Sequence, residues 1–173
     1  MKKGDFDAIV IALNQAEVPF IVVGGIAVVE HGYGRNTYDV DLVIHLVPEP
    51  VVRAFAALAA IGYHPRVPIT AEEFAQPEAR LRLINEKQMK VLNFWADNRR
   101  ETPLDIFVRE PFDFAVEFAR AERREILPGQ WVRIVALPTL FEMKKAANRL
   151  KDLADIDELS LLHGLPSSYD KSD

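Results

Sequence analysis

Two aspartates, Asp39 and Asp41, lie one residue apart in Tyr38-Asp39-Val40-Asp41-Leu42-Val43-Ile44, a run whose other members are apolar or aromatic. In a strand, side chains two apart share a face, roughly 7 Å apart. Burying one unpaired carboxylate is costly, and a second beside it adds like-charge repulsion. A divalent cation between the two removes both penalties. Hard cations such as Mg²⁺ take oxygen ligands and often keep substrate phosphates in their remaining positions. By itself Asp-x-Asp also fits a strand end with two solvated acids. Three further features bear on the choice. Asp105 is an isolated acid inside Leu104-Asp105-Ile106-Phe107-Val108, suited to a third metal ligand or a general base, or else to a strand edge facing water. Gly24-Gly25 stands between an apolar run and a helical stretch, where glycine lets the backbone approach a phosphate at a helix N-terminus. Arg35 and Thr37 precede the acids and can neutralise or hydrogen-bond phosphate.

These residues need elements to position them. Val18 to Val23 is a short apolar run ending in the two glycines, which predicts a buried strand, with a helix over Ile26 to His31. Tyr38 to Leu46 predicts a central strand. Pro48 to Ile61 predicts an amphipathic helix closed by Gly62. An earlier helix carries Phe6, Ile9, Val10 and Leu13, with Asp5 as its expected cap. Over 65–86 the pattern is less regular. Thr70-x-x-Glu73 reads as a capping box and Pro77 as a first helical residue. Met89 to Trp95 and Leu104 to Val108 predict a hairpin. A helix over Phe112 to Arg120 and a strand over Trp131 to Val135 follow the same logic. Thr139-x-x-Glu142 predicts a second capping box opening the last helical region. There, Lys144 and Asn148 would share one face, with Met143, Ala147 and Leu150 as an apolar stripe. Lys144 would then aim at a triphosphate or at the acids, while Asp152 or Asp155 pairs with Arg149 or Lys151. The expected class is α/β (α+β), a mixed sheet flanked by helices with helices at the C-terminal end. The expected organisation is one domain over 1–173, with a sheet core of about 18–136 and a helical segment of about 138–163.

Composition bounds the function. The chain has 173 residues, 49% of them apolar and 27% charged, a globular balance with enough length for a sizeable core. It has no cysteine, which excludes disulfides, thiol nucleophiles and thiolate metal sites. The net charge of −5 disfavours binding nucleic acid through a broad basic surface. Twelve residues, Val18 to Val29, form the longest apolar stretch, against about 20 for a membrane span. Lys2-Lys3 is not followed by the apolar stretch of an export signal. The expectation is a cytoplasmic protein with no membrane partner. The four histidines show no metal-ligand spacing. Arg99-Arg100 and Arg120-x-x-Arg123-Arg124 fit solvated faces better than a polyanion site.

Taken together, Val23-Gly24-Gly25, thirteen residues, Asp39-Val40-Asp41-Leu42 and then Leu104-Asp105-Ile106 resemble the nucleotidyltransferase superfamily that includes DNA polymerase beta and small antibiotic nucleotidyltransferases. Arg35-x-Thr37-x-Asp39-x-Asp41 and the stretch Met143 to Ile156 look like the branch with abortive-infection (AbiEii-type) toxins. The resemblance spans roughly Val18 to Leu162. It implies a nucleotidyltransferase-like fold in which Asp39, Asp41 and Asp105 hold Mg²⁺ or Mn²⁺ and catalyse. Gly24, Gly25, Arg35, Thr37 and Lys144 would bind a nucleoside triphosphate as substrate. The hydroxyl acceptor stays open among an RNA end reached through a small basic patch, a protein and a small molecule. The branch implies a cognate toxin or antitoxin as partner. The rival expectation is a catalytically silent nucleotide-binding or toxin-partner module of the same fold.

Overall fold

The computed structural model describes residues 2–165. Seven strands form one mixed sheet: β1 (Phe20–Val23), β2 (Val40–Ile44), β3 (His64–Pro65), β4 (Val91–Trp95), β5 (Leu104–Phe107), β6 (Glu122–Leu127) and β7 (Gln130–Ile134), in the order β3-β4-β5-β2-β1-β7-β6. The helices are α1 (Lys3–Gln15), α2 (Gly24–Glu30), α3 (Pro48–Ala60), α4 (Ala71–Ala75), α5 (Pro77–Lys87), α6 (Phe114–Arg120), α7 (Leu137–Ala147) and α8 (Leu150–Leu162). This is the expected mixed sheet flanked by helices.

The central strands are those with the most continuous apolar sequence. All four residues of β1 are buried, and in β2 every residue but Asp41 is buried. β1 runs antiparallel to β2, and β2 runs parallel to β5 with Asp41 opposite Asp105. β4 and β5 form the expected antiparallel hairpin, with Asn93 opposite Asp105. Phe55 packs against Phe74 and Phe94, with ring centroids 5.5 and 5.1 Å away. Proline opens α3 and α5 at a position with no hydrogen bond to lose. Thr70 and Glu73 form the reciprocal capping box of α4.

Several local expectations are corrected. α1 starts at Lys3, so Asp5 lies inside its first turn. There its buried carboxylate accepts from Arg99 Nη1 and Thr102 Oγ1, both at 2.7 Å. α2 begins at Gly24 rather than Ile26. Thr139 is not a cap, because α7 opens at Leu137. Its hydroxyl donates instead to buried Glu117, 2.8 Å away. The tail is two helices rather than one. Asn148 takes the left-handed conformation (φ 50°) and closes α7, so Lys144 and Asn148 share no continuing face and Leu150 is 88% exposed. Strand β6 was not foreseen. Its Glu122-Arg123-Arg124-Glu125 has no apolar alternation because it is an edge strand paired only to β7, and charge protects such edges. Among the described residues no helix is long and apolar enough to cross a membrane.

Candidate active site

The sheet register brings the acids together. Asp39 ends the loop before β2, Asp41 is the second residue of β2, and Asp105 is the second residue of its parallel neighbour β5. All three are partly buried, and each offers a carboxylate oxygen within 4.8 Å of the others. Among the described residues this is the one such group of potential ligands.

Burial lifts Asp41 to a pKa of about 6, with Asp39 and Asp105 pushing the same way; the Gly25 N–H and the charge of Lys151 pull it back. Asp105 is also raised by burial and by Asp39. Against that, Asn93 Nδ2 donates to its Oδ1 at 2.6 Å and Arg66 adds a favourable charge. Thr37 Oγ1 donates to Asp39 Oδ1 at 3.3 Å. Three hard oxygen donors, with Asp41 and Asp105 buried and crowded until their ionised forms are disfavoured, are the donor set that suits Mg²⁺ or Mn²⁺.

The glycine turn is built against this cluster. Gly24 has φ +63°, and a Cβ there would lie 2.0 Å from Asp41 Oδ2. A Cβ on Gly25 would lie 2.3 Å from Thr37 Oγ1 and 3.4 Å from Arg35 Nη1. So both glycines, Thr37 and Arg35 share one corner with the acids. Lys144 does not join them. Its side chain is 5% exposed, and Nζ turns into the α7–α8 corner onto Asp152 (3.2 Å) and Asp155 (2.6 Å).

Sequence reasoning passed over Asn93 and Arg66 at this site. Asn93 was legible as a lone amide in an apolar strand, facing Asp105. Arg66 gives no signal, since it follows the two-residue edge strand β3. Of the expected partners of Asp152 or Asp155, Arg149 does pair with Asp152, and both Arg149 and Lys151 also act on the acids through space. Arg149 is held above its ordinary pKa by its hydrogen bond to Asp152, and further by Asp41 and Asp39. None of the four histidines joins the acids: His31 bonds to Val135 O, His45 to Glu110 and His163 to His31 O.

No protein-family model matches the chain, and no curated protein matches it in sequence. Solved structures do. The antibiotic-resistance factor ANT(2″)-Ia, in a crystal structure with adenylyl-2″-tobramycin, aligns with a TM-score of 0.58 at 14% identity, over 94% of this chain and 89% of that one. Its solution structure aligns at 0.57 and 15% identity, over 92% and 82%. JHP933 from Helicobacter pylori aligns more loosely, at 0.48 and 17% identity, over 90% and 63%. At such identities the likeness is one of fold, and the fold this chain shares is that of nucleotidyltransferases.

Proposed function

We propose that the chain is a metal-dependent nucleotidyltransferase that moves a nucleoside monophosphate from a nucleoside triphosphate to a hydroxyl acceptor. The observation that carries the reading is the convergence of Asp39, Asp41 and Asp105 within 4.8 Å beside a glycine turn that admits no side chain. Asp39, Asp41 and Asp105 would hold Mg²⁺ or Mn²⁺. Bound there, such cations stabilise charge on the attacking and leaving oxygens of an in-line displacement.

The chain's own groups supply the rest. Gly24 and Gly25 let phosphate oxygens approach the backbone, while Arg35 and Thr37 offer donors beside them. Asp105, steadied by Asn93, accepts the proton of the acceptor hydroxyl. The acceptor oxygen then bonds to the α-phosphorus as the bond to pyrophosphate breaks. Catalysis of this kind is chiefly positioning and charge neutralisation. The acceptor class is an RNA end, a protein or a small hydroxylated molecule. The likeness of Met143 to Ile156 to the AbiEii-type stretch supports a toxin or phage-defence setting with a cognate protein partner.

The test incubates the protein with each α-labelled nucleoside triphosphate, Mg²⁺ or Mn²⁺, and separate pools of RNA, protein and aminoglycosides. Label transfer is expected to one pool, and to vanish in Asp39→Ala and Asp41→Ala. Transfer that survives either substitution refutes the assignment. Nucleotide binding without transfer to any pool supports the silent module instead.

A further inference from the structure

The corner between α7 and α8 holds charges that the proposed reaction leaves unused. Asp152 and Asp155 lie three residues apart on one face of α8, both with side chains 2% exposed. Two buried carboxylates so placed would repel. Lys144 reaches from α7 and sets its ammonium between them. Each carboxylate then holds a guanidinium. Asp155 takes Arg35 in a fork, Nε to Oδ1 at 2.7 Å and Nη2 to Oδ2 at 2.9 Å. Asp152 takes Arg149, Nε to Oδ2 at 2.6 Å and Nη2 to Oδ1 at 3.3 Å. The result is a row of alternating charge, Arg35, Asp155, Lys144, Asp152, Arg149.

The middle of this row is buried and its Arg35 end meets the acid site. Arg35 Nη1 lies beside Gly25, in the turn packed against Thr37 and Asp41. Stability alone is a poor reason for such a row, because buried ion pairs seldom outdo apolar packing of the same volume. Direction is a better one. A guanidinium is a rigid planar fork, so fixing Nε and Nη2 on a carboxylate also fixes where Nη1 lies.

We propose that Asp155, bridged by Lys144 to Asp152, is a positioning residue that holds Arg35 as a clamp for the polyphosphate of the nucleotide. Lys144 is then the counter-charge of the clamp and not a phosphate ligand. The inference rests on the nucleotide-binding reading above.

Titration calorimetry tests it, with Mn²⁺ alone and with a nucleoside triphosphate plus Mn²⁺, on wild type, Asp155→Asn, Arg35→Ala, their double variant and Arg35→Lys. Asp155→Asn is expected to weaken triphosphate binding about tenfold or more, the usual scale when the partner that orients a ligand-holding group is lost. It should keep binding Mn²⁺ at the acids. The double variant should bind no worse than Arg35→Ala, since Asp155 acts through Arg35. Arg35→Lys keeps the charge, loses the fork and should also weaken binding. It probes the same point at a side chain 23% exposed if Asp155→Asn does not fold. Triphosphate affinity unchanged in Asp155→Asn or Arg35→Lys overturns the clamp, as do additive losses in the double variant. Loss of Mn²⁺ binding in a folded Asp155→Asn assigns the row a purely structural role and overturns it too. Wild type that binds neither Mn²⁺ nor triphosphate refutes the reading of the site itself, a result distinct from all of these.

Discussion

Asp41→Asn should make the metal-free protein more stable at neutral pH while removing one donor of the candidate metal site. A free aspartate titrates near 3.8, and burial beside Asp39 and Asp105 moves Asp41 to about 6. At 1.36 kcal/mol per pKa unit, holding it ionised in the folded state costs about 3 kcal/mol. The sign follows from proton counting. Between pH 3.8 and 6 the folded state binds more protons at this site than the unfolded chain does, so stability falls as pH rises through that window. The cost is small at pH 4 and complete by pH 8. Asparagine carries no charge, and its amide oxygen can still accept from the Gly25 N–H.

Urea denaturation in EDTA at pH 4 and pH 8 measures this directly. At pH 8 the variant should gain about 3 kcal/mol over wild type, or roughly 6–12 °C in Tm for a chain of this size. At pH 4 the two should nearly coincide. Mg²⁺ at about a hundred times its Kd should return about 2.7 kcal/mol to wild type at pH 8 and far less to the variant. A variant no more stable than wild type at pH 8, or one with the same gain at both pH values, refutes the claim that the three acids strain one another in the fold.

Two further outcomes follow from the packing. Gly24→Ala forces a left-handed alanine and drives its Cβ onto the Asp41 carboxylate, so the acid or the turn must move by an ångström or more. Displacement on that scale can cost about a hundredfold in rate, whereas the backbone strain costs only about 1–2 kcal/mol. Mn²⁺ titration with a melting curve separates the two, and a variant that binds Mn²⁺ like wild type defeats the prediction. Glu117→Gln breaks a buried group in which Arg120, Thr139 and the Ala136 N–H all donate to one carboxylate. Losing that shared charge costs about 1–3 kcal/mol, and nucleotide affinity should not change because the group ties α6 to the start of α7. A shift below about 1 kcal/mol in urea melts would count against it.

What could be read from the sequence was whatever broke a local rule. Carboxylates inside apolar runs, and paired glycines where a strand meets a helix, stand out because burial and backbone geometry make them costly without a reason. Continuous apolar runs marked β1 and β2, and the polar loop between two such runs marked the β4–β5 hairpin. Elements with ordinary local chemistry stayed hidden. β6 is charged because it borders the sheet, so its sequence looks like a helix face or a loop. The pairing of Asp5 with Arg99 and Thr102 lies about a hundred residues away, and local sequence offers only the capping role that the structure overturns.

The same limit explains why Lys144 was read as a phosphate ligand. Its spacing in the sequence suits a straight helix presenting a lysine, and only the left-handed Asn148 turns α8 back so that Asp152 and Asp155 meet it. Arg35 and Asp155 are 120 residues apart, and neither carries a mark of the other. Charges whose partners lie across the fold therefore look like free ligands or solvated faces. Unpaired, Lys144 would be the natural phosphate contact of this chain. Once it is spent between two buried acids, the proposed clamp gives that role to Arg35, which Asp155 holds. Arg35 is fixed in direction by its fork on Asp155, and direction is what the proposed in-line transfer between two oxygens requires.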